Sequence, residues 1–107
     1  MASSLSFVRY VCEQLAGAGA IRYRKMFGEY LIYVDEKPVV IVIENTAYVK
    51  RLPVLSELGL AEGHPFPEGP AYYVLDIDNG PESRDAAERA AAVTPLPRKR
   101  RRPPRQP

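Results

Sequence analysis

The chain has few of the residues on which compact reactive sites are built. Its 107 residues include one cysteine, Cys12, one histidine, His64, and no tryptophan. A single cysteine excludes an intrachain disulfide. One Cys and one His together exclude a typical zinc site within one subunit. Cys12 falls in the apolar pattern of the first helix and reads as a small buried hydrophobe rather than a reactive thiol, because buried thiols are inert. His64 lies beside Glu62 in a Gly-Pro loop, where a lone histidine is ordinarily a solvated group rather than a general base. Ser83 has no adjacent histidine to activate it. Asp76 and Asp78, with Glu82, are the nearest approach to a hard-cation site, but a strand end followed by a helix cap uses the same residue types. Neither a Walker loop nor a G-x-G-x-x-G is present. The expectation is a protein that is not an enzyme and has no metal or cofactor.

Long apolar runs are missing as well. None approaches the roughly 20 residues of a membrane span. Met1-Ala2-Ser3-Ser4 has neither the charged n-region nor the apolar h-region of a secretory signal. No membrane contact and a cytoplasmic location are therefore expected. An apolar content of 46% is ordinary for a globular domain, and 107 residues support one such domain with a modest core.

Charge is present but uneven. The formal net charge of +2 conceals a tail, Arg98, Lys99, Arg100, Arg101, Arg102 and Arg105, that holds six of the fifteen bases and no acid. Residues 1–97 keep nine bases against thirteen acids, a net −4. A mildly acidic domain over 1–94 and a Pro/Arg-rich tail over 95–107 follow, and the tail's composition is disorder-prone.

Along the domain, Ser3 or Ser4 can cap a helix from Leu5 to about Ala16, with Leu5, Val8, Val11, Cys12 and Leu15 on one face and Gly17 and Gly19 ending it. Ile21 to Lys25 alternates as a half-exposed strand. Tyr30 to Val34 and Pro38 to Ile43 are strands joined by a turn at Asp35-Glu36-Lys37. Val39-Val40-Ile41-Val42-Ile43 is apolar on both faces and must be covered on both. After a turn at Glu44-Asn45-Thr46, Ala47 to Lys50 returns as a third strand of this set. A short helix over Pro53 to Leu60, a loop over Ala61 to Pro70, a strand over Ala71 to Ile77 and a helix from Glu82 to about Val93 complete the order. Ala86, Ala87, Ala90 and Ala91 give the last helix a shallow packing face, and Asp85 can pair with Arg89. That order predicts an α+β, two-layer fold, a mainly antiparallel sheet with helices on one face. The other face then needs water or a partner. The doubly apolar strands point to a homodimer, the alternative being that helices and loops cover both faces within one chain.

The most distinctive stretch is Arg24-Lys25-Met26-Phe27-Gly28-Glu29-Tyr30 running into Leu31-Ile32-Tyr33-Val34. Structurally, Gly28 suits a bend or bulge between strands, with Met26 and Phe27 packing into the core beneath it and Arg24, Lys25 and Tyr30 at a rim open to a partner. A basic residue, Phe, Gly and Tyr in succession is superficially like an RNA-recognition strand, but the element order is wrong for that fold. Tyr30, Tyr33, Tyr48, Tyr72 and Tyr73 can still include an exposed stacking surface. The box resembles the signature of the TfoX/Sxy N-terminal domain of bacterial competence regulators. The resemblance extends through the turn at Asp35, the apolar strand, Ala47-Tyr48-Val49-Lys50 and Pro70-Ala71-Tyr72-Tyr73-Val74-Leu75-Asp76, over roughly residues 5 to 93. It implies a two-layer, secretion-chaperone-like fold and a regulatory or protein-interaction module. Leu31 departs from a common glycine. The separate helical domain of full-length competence regulators has no counterpart in this sequence, so the resemblance does not carry a competence-activating role.

The tail is the candidate for nucleic-acid contact. Full engagement of its six charges with phosphates would give a log–log salt slope of roughly −4 to −5, without base specificity. The plain alternative is a solvated extension. The expected partners are a protein of unspecified identity, nucleic acid through the tail, or both.

Overall fold

The structure, a computed structural model, describes residues 3–26 and 29–96. Phe27, Gly28 and the basic tail from Arg98 to Arg105 lie outside the described residues, and with them the expected bend at Gly28 and the tail's contacts.

Ser4 opens helix α1, Leu5–Leu15, where its hydroxyl accepts the Phe7 N–H at 3.2 Å. This satisfies one of the donors a helix start leaves free. Val8, Val11 and Leu15 are buried, whereas Leu5, expected on the same face, is exposed at the first turn. Strands β1 (Ile21–Met26), β2 (Glu29–Val34), β3 (Lys37–Ile43) and β4 (Thr46–Lys50) follow as an antiparallel meander. Both β2–β3 and β3–β4 turn on two residues with positive φ, Asp35 and Glu36 (53° and 67°) and Glu44 and Asn45 (50° and 56°). Two left-handed residues give the turn twist that matches paired strands. Without glycine that geometry is strained, and contacts from outside hold it in place. The Asp35 carboxylate accepts the Ala20 N–H at 2.8 Å, and Arg22 grips Glu36 through two nitrogens at 2.8–3.0 Å. The Asn45 side chain accepts the Ser4 N–H at 2.9 Å, and the Asn45 N–H reaches Ser3 Oγ at 3.0 Å. Gly19 is required where the chain passes Asp35: a Cβ there, at φ 153°, would lie 2.8 Å from the carboxylate.

After β4, a 3₁₀ helix over Pro53–Leu58 ends at Gly59 with φ 65°. The chain then reaches the far edge of the sheet and returns inward, giving the order β1-β2-β3-β4-β6-β5 with every pair antiparallel. The edge strand β5, Ala61–Gly63, corrects the expected loop at this position. Ala-Glu-Gly has no strand signal of its own, and the pairing is provided by the free edge of β6, Tyr72–Val74. β6 is shorter than the expected run to Ile77, because Leu75 and Ile77 turn down into the core. Asn79 caps helix α2, Gly80–Val93, accepting from the Glu82 N–H at 3.2 Å and starting the helix two residues before the expected Glu82.

Both helices lie on one face of the sheet. In an antiparallel ladder, directly paired residues share a face. The register therefore puts Tyr30 with Val42, Ile32 with Val40, Val40 with Val49 and Val42 with Ala47 toward the helices. All of these are buried, as are Ala86, Ala87, Ala90 and Ala91 of α2. Alanines allow α2 to lie close on the strands, and Leu55 of the 3₁₀ helix packs against the same core. Lys37 donates to the Ala91 carbonyl at 2.9 Å, placing a cation at the negative end of α2. The architecture is the expected two-layer α+β fold. Among the described residues no helix is long and apolar enough to cross a membrane.

Candidate functional site: the helix-free sheet face

The same register defines the opposite face. Arg24 pairs with Leu31, Leu31 with Ile41, Ile41 with Tyr48, Tyr48 with Val74 and Val74 with Ala61. One row thus crosses all six strands on the side the helices leave uncovered, and Leu31, Ile41, Tyr48 and Val74 in it are half-buried. A neighbouring row holds Arg22, Tyr33 and Pro38, with Lys50 and Tyr72 farther across. The register shift between Ile32 and Tyr33 leaves Val39 and Val40 both buried, so β3 presents fewer apolar residues to the open face than its composition suggests.

An aromatic ridge bounds this face. Tyr48 and Tyr72 meet edge to face at 6.5 Å between centroids, and Phe66, from the loop after β5, meets Tyr72 at 6.1 Å. Phe66 is 42% exposed. Its carbonyl accepts the Gly69 N–H at 2.9 Å, closing a turn that carries the exposed Glu68. A cleft of about 220 Å³ at the Pro38 and Lys50 end of the sheet is lined by Leu31, Pro38, Ile41, Lys50 and Tyr72 and, from the helix side, by Val39, Val40, Val49, Leu52, Ala90 and Thr94. Sites for drug-sized ligands occupy about 300–1,000 Å³. This cleft is smaller than that range.

The structure separates the residues expected to form one rim. Arg24 and Lys25 are exposed, but as consecutive strand residues they point to opposite faces, Arg24 to the open one. Tyr30 is 8% exposed in the helix-side core, edge to face with Tyr23, so it does not belong to a surface rim. Its position two residues into β2 fixes that side. Met26 is half-buried at the end of β1, opposite Glu29 and on the open side of the sheet, rather than in the core. Of the five tyrosines considered for stacking, Tyr33 is only 7% exposed and lies under the Arg22 guanidinium at 4.1 Å. Tyr73 packs toward the helix-side core, and Tyr48 and Tyr72 are on the open face.

The residues weighed for chemistry occupy structural places. Ser83 is fully buried and donates to the Asp76 carbonyl at 2.9 Å. Asp78 accepts from the Tyr10 hydroxyl at 2.6 Å, and that bond is the main cause holding the Tyr10 phenol above its ordinary pKa. Among the described residues no group of three or more His, Cys, Asp or Glu side chains is placed to hold a metal ion. Burial pushes the Cys12 thiol up, which lowers its thiolate fraction. His64 is exposed beyond β5. Two features had no sequence signal: the Phe66 ridge, which depends on a loop folding back, and the link from Ser3 to Glu29 at 2.9 Å, which ties the N-terminal segment to β2.

Fold and face together define a small α+β module with one helical layer and one open, partly apolar sheet face. The sequence model of the TfoX N-terminal domain matches residues 13–78. The chain is also 32% identical over 105 residues to an uncharacterized 12.7 kDa protein in the trpE 5' region of Spirochaeta aurantia, covering 94% of this chain and 91% of that one. The chain belongs to the TfoX N-terminal domain family.

Proposed function

We propose that this chain is a non-enzymatic regulatory or protein-interaction module of the cytoplasm, and that it docks a protein partner, a second copy of itself included, on the helix-free sheet face. The observation that carries this reading is the row Leu31, Ile41, Tyr48 and Val74, apolar across four adjacent strands on the side without helices. Isolated exposed apolar residues are ordinary, but a contiguous set rimmed by charge marks an interaction surface. Family membership supports a regulatory or interaction role in the same coarse sense. Photo-crosslinking tests the reading. A photoreactive residue at position 41 gives a discrete protein adduct that Tyr48→Arg abolishes, whereas one at position 88, on the exposed side of α2, gives none. Adducts from position 88 and none from 41 would reverse the assignment.

The competing reading is nucleic-acid association through Arg98–Arg102, motivated by five consecutive bases. Anisotropy titration of labelled DNA and RNA with the full chain and with residues 1–97 decides it. Binding with a salt slope of roughly −4 to −5 that disappears with the tail supports nucleic acid, and no binding by either form excludes it.

A further inference from the structure

We infer that the outer edge of β1 takes an extended acidic segment of a partner protein, which adds to the sheet as a further antiparallel strand. This edge is separate from the helix-free face. β1 heads the strand order and is paired on one side only. The Asp35 N–H donates to the Ala20 carbonyl at 2.8 Å and the Ala20 N–H to the Asp35 carboxylate, so Ala20 directs its backbone groups at β2. In an antiparallel ladder that direction alternates residue by residue. Arg22, Arg24 and Met26 therefore bond inward to β2, and Ile21, Tyr23 and Lys25 turn their N–H and C=O groups outward. Among the described residues none of these outward groups has a hydrogen-bond partner.

Brevity, a bulge or a proline keeps many edge strands from pairing. β1 has none of these: its register with β2 runs without a shift from Ile21 to Met26. The opposite edge, β5, is only three residues long. What β1 carries is charge of one sign. Arg22, Arg24 and Lys25 are exposed, and the strand has no acid. Arg22 is engaged with Glu36 and Tyr33, but Arg24 and Lys25 have no ion-pair partner among the described residues. That charge selects the occupant. Pairing β1 with β1 of a second copy about Tyr23 would set Arg22 opposite Arg24, and like charges directly opposite each other destabilise a strand pair. The chain's own tail is basic and is opposed in the same way. An acidic strand is complementary. Alternation specifies it further. Arg24 lies on the open side and Lys25 on the helix side, so two adjacent acidic residues are needed, one for each. Tyr23, 37% exposed, is next to Lys25 on the helix side and suits an apolar neighbour. Run antiparallel, the segment reads acid-acid-apolar from its N-terminus, with the apolar residue opposite Tyr23.

Fluorescence anisotropy of a labelled Thr-Glu-Glu-Val-Thr-Val peptide, titrated with the full chain, tests this. Binding is saturable. Arg24→Glu and Lys25→Glu each weaken it about tenfold, because reversal trades an attractive cross-strand pair for a repulsive one. The variants keep the wild-type circular-dichroism spectrum, and Arg24→Gln and Lys25→Gln serve in their place if they do not. N-methylation of the valine opposite Tyr23 abolishes binding, since that amide faces β1. N-methylation of the second glutamate, whose amide faces away, leaves the affinity within about twofold. No saturable binding at millimolar concentration overturns the inference. Binding indifferent to the charge substitutions, or to both methylations, as attraction to the basic tail alone would give, overturns it as well. Equal loss from the two methylations overturns the pairing at the β1 edge.

Discussion

Identical substitutions on the two sides of the sheet separate a covered face from an open one. Val42 in β3 is fully buried between Tyr30 and Ala47, under the helices. Val74 in β6 is half-buried beside Tyr48 and Ala61, on the open side. Val→Thr keeps the volume and the β-branch and replaces a methyl with a hydroxyl, so strand preference and packing change little. At position 42 the hydroxyl enters an apolar environment where the ladder already uses the neighbouring backbone groups. Burying a hydroxyl without a partner costs about 1–3 kcal/mol in proteins, and we expect about 2 kcal/mol for Val42→Thr. At position 74 the hydroxyl reaches water, and the expected cost is within about 0.5 kcal/mol. Out of a total stability of about 5–15 kcal/mol, the first loss is substantial. It corresponds to a Tm drop of about 8–16 °C in a domain of this size, against less than about 4 °C for the second. Urea unfolding at submicromolar protein, with the slope unchanged between variants, measures both in the monomer. Equal costs near 2 kcal/mol at the two positions would show that something within the chain covers the second face, and the docking argument would fail.

Ser83→Ala removes the buried hydroxyl that bonds the Asp76 carbonyl, while the Asn79 N–H at 2.9 Å still satisfies that carbonyl; a loss of about 1 kcal/mol or less is expected from chemical denaturation. The hydrogen bonds from Arg22 hold the Glu36 carboxyl below its ordinary range. A depressed folded-state pKa gives a contribution that is present above the unfolded value of about 4.3 and lost as pH falls through the folded one. Glu36→Gln should therefore flatten the acid limb of a Tm-against-pH curve. Tyr10 has the opposite sign. Its raised pKa, caused first by the bond to Asp78, gives a contribution that is intact below about 10 and lost as pH rises through the folded value. Tyr10→Phe should remove that alkaline loss and leave the acid limb unchanged.

Much of the fold was legible in the sequence because caps, turns and alternation are local. Ser4 as a cap, Asn45 and Gly59 through their own left-handed backbone, and the alanine face of α2 through one repeated spacing are local features, and all take the expected places. β5 was not legible, since its pairing comes from β6 and not from Ala-Glu-Gly. The site was less legible than the fold for the same physical reason. A one-residue change of register moves a strand's whole set of side chains to the other face. The basic-aromatic box looked like one rim, but alternation sends Arg24 and Lys25 to opposite sides and Tyr30 into the core. The double apolarity of β3 asked for cover on both faces, and the structure shows the helices covering one of them. The shift at Val39 then places an extra valine under the helices and leaves Ile41 at the centre of the open row.

The account stands or falls on whether association uses the sheet face. Amide NMR spectra of the labelled full chain, recorded across a dilution series from millimolar to low micromolar, test this residue by residue. The account predicts concentration-dependent shifts centred on Leu31, Ile41, Tyr48, Tyr72 and Val74, with Arg9 of α1 and Glu88 of α2 unmoved. Shifts confined to α1 and α2, with the sheet-face amides constant, would contradict it.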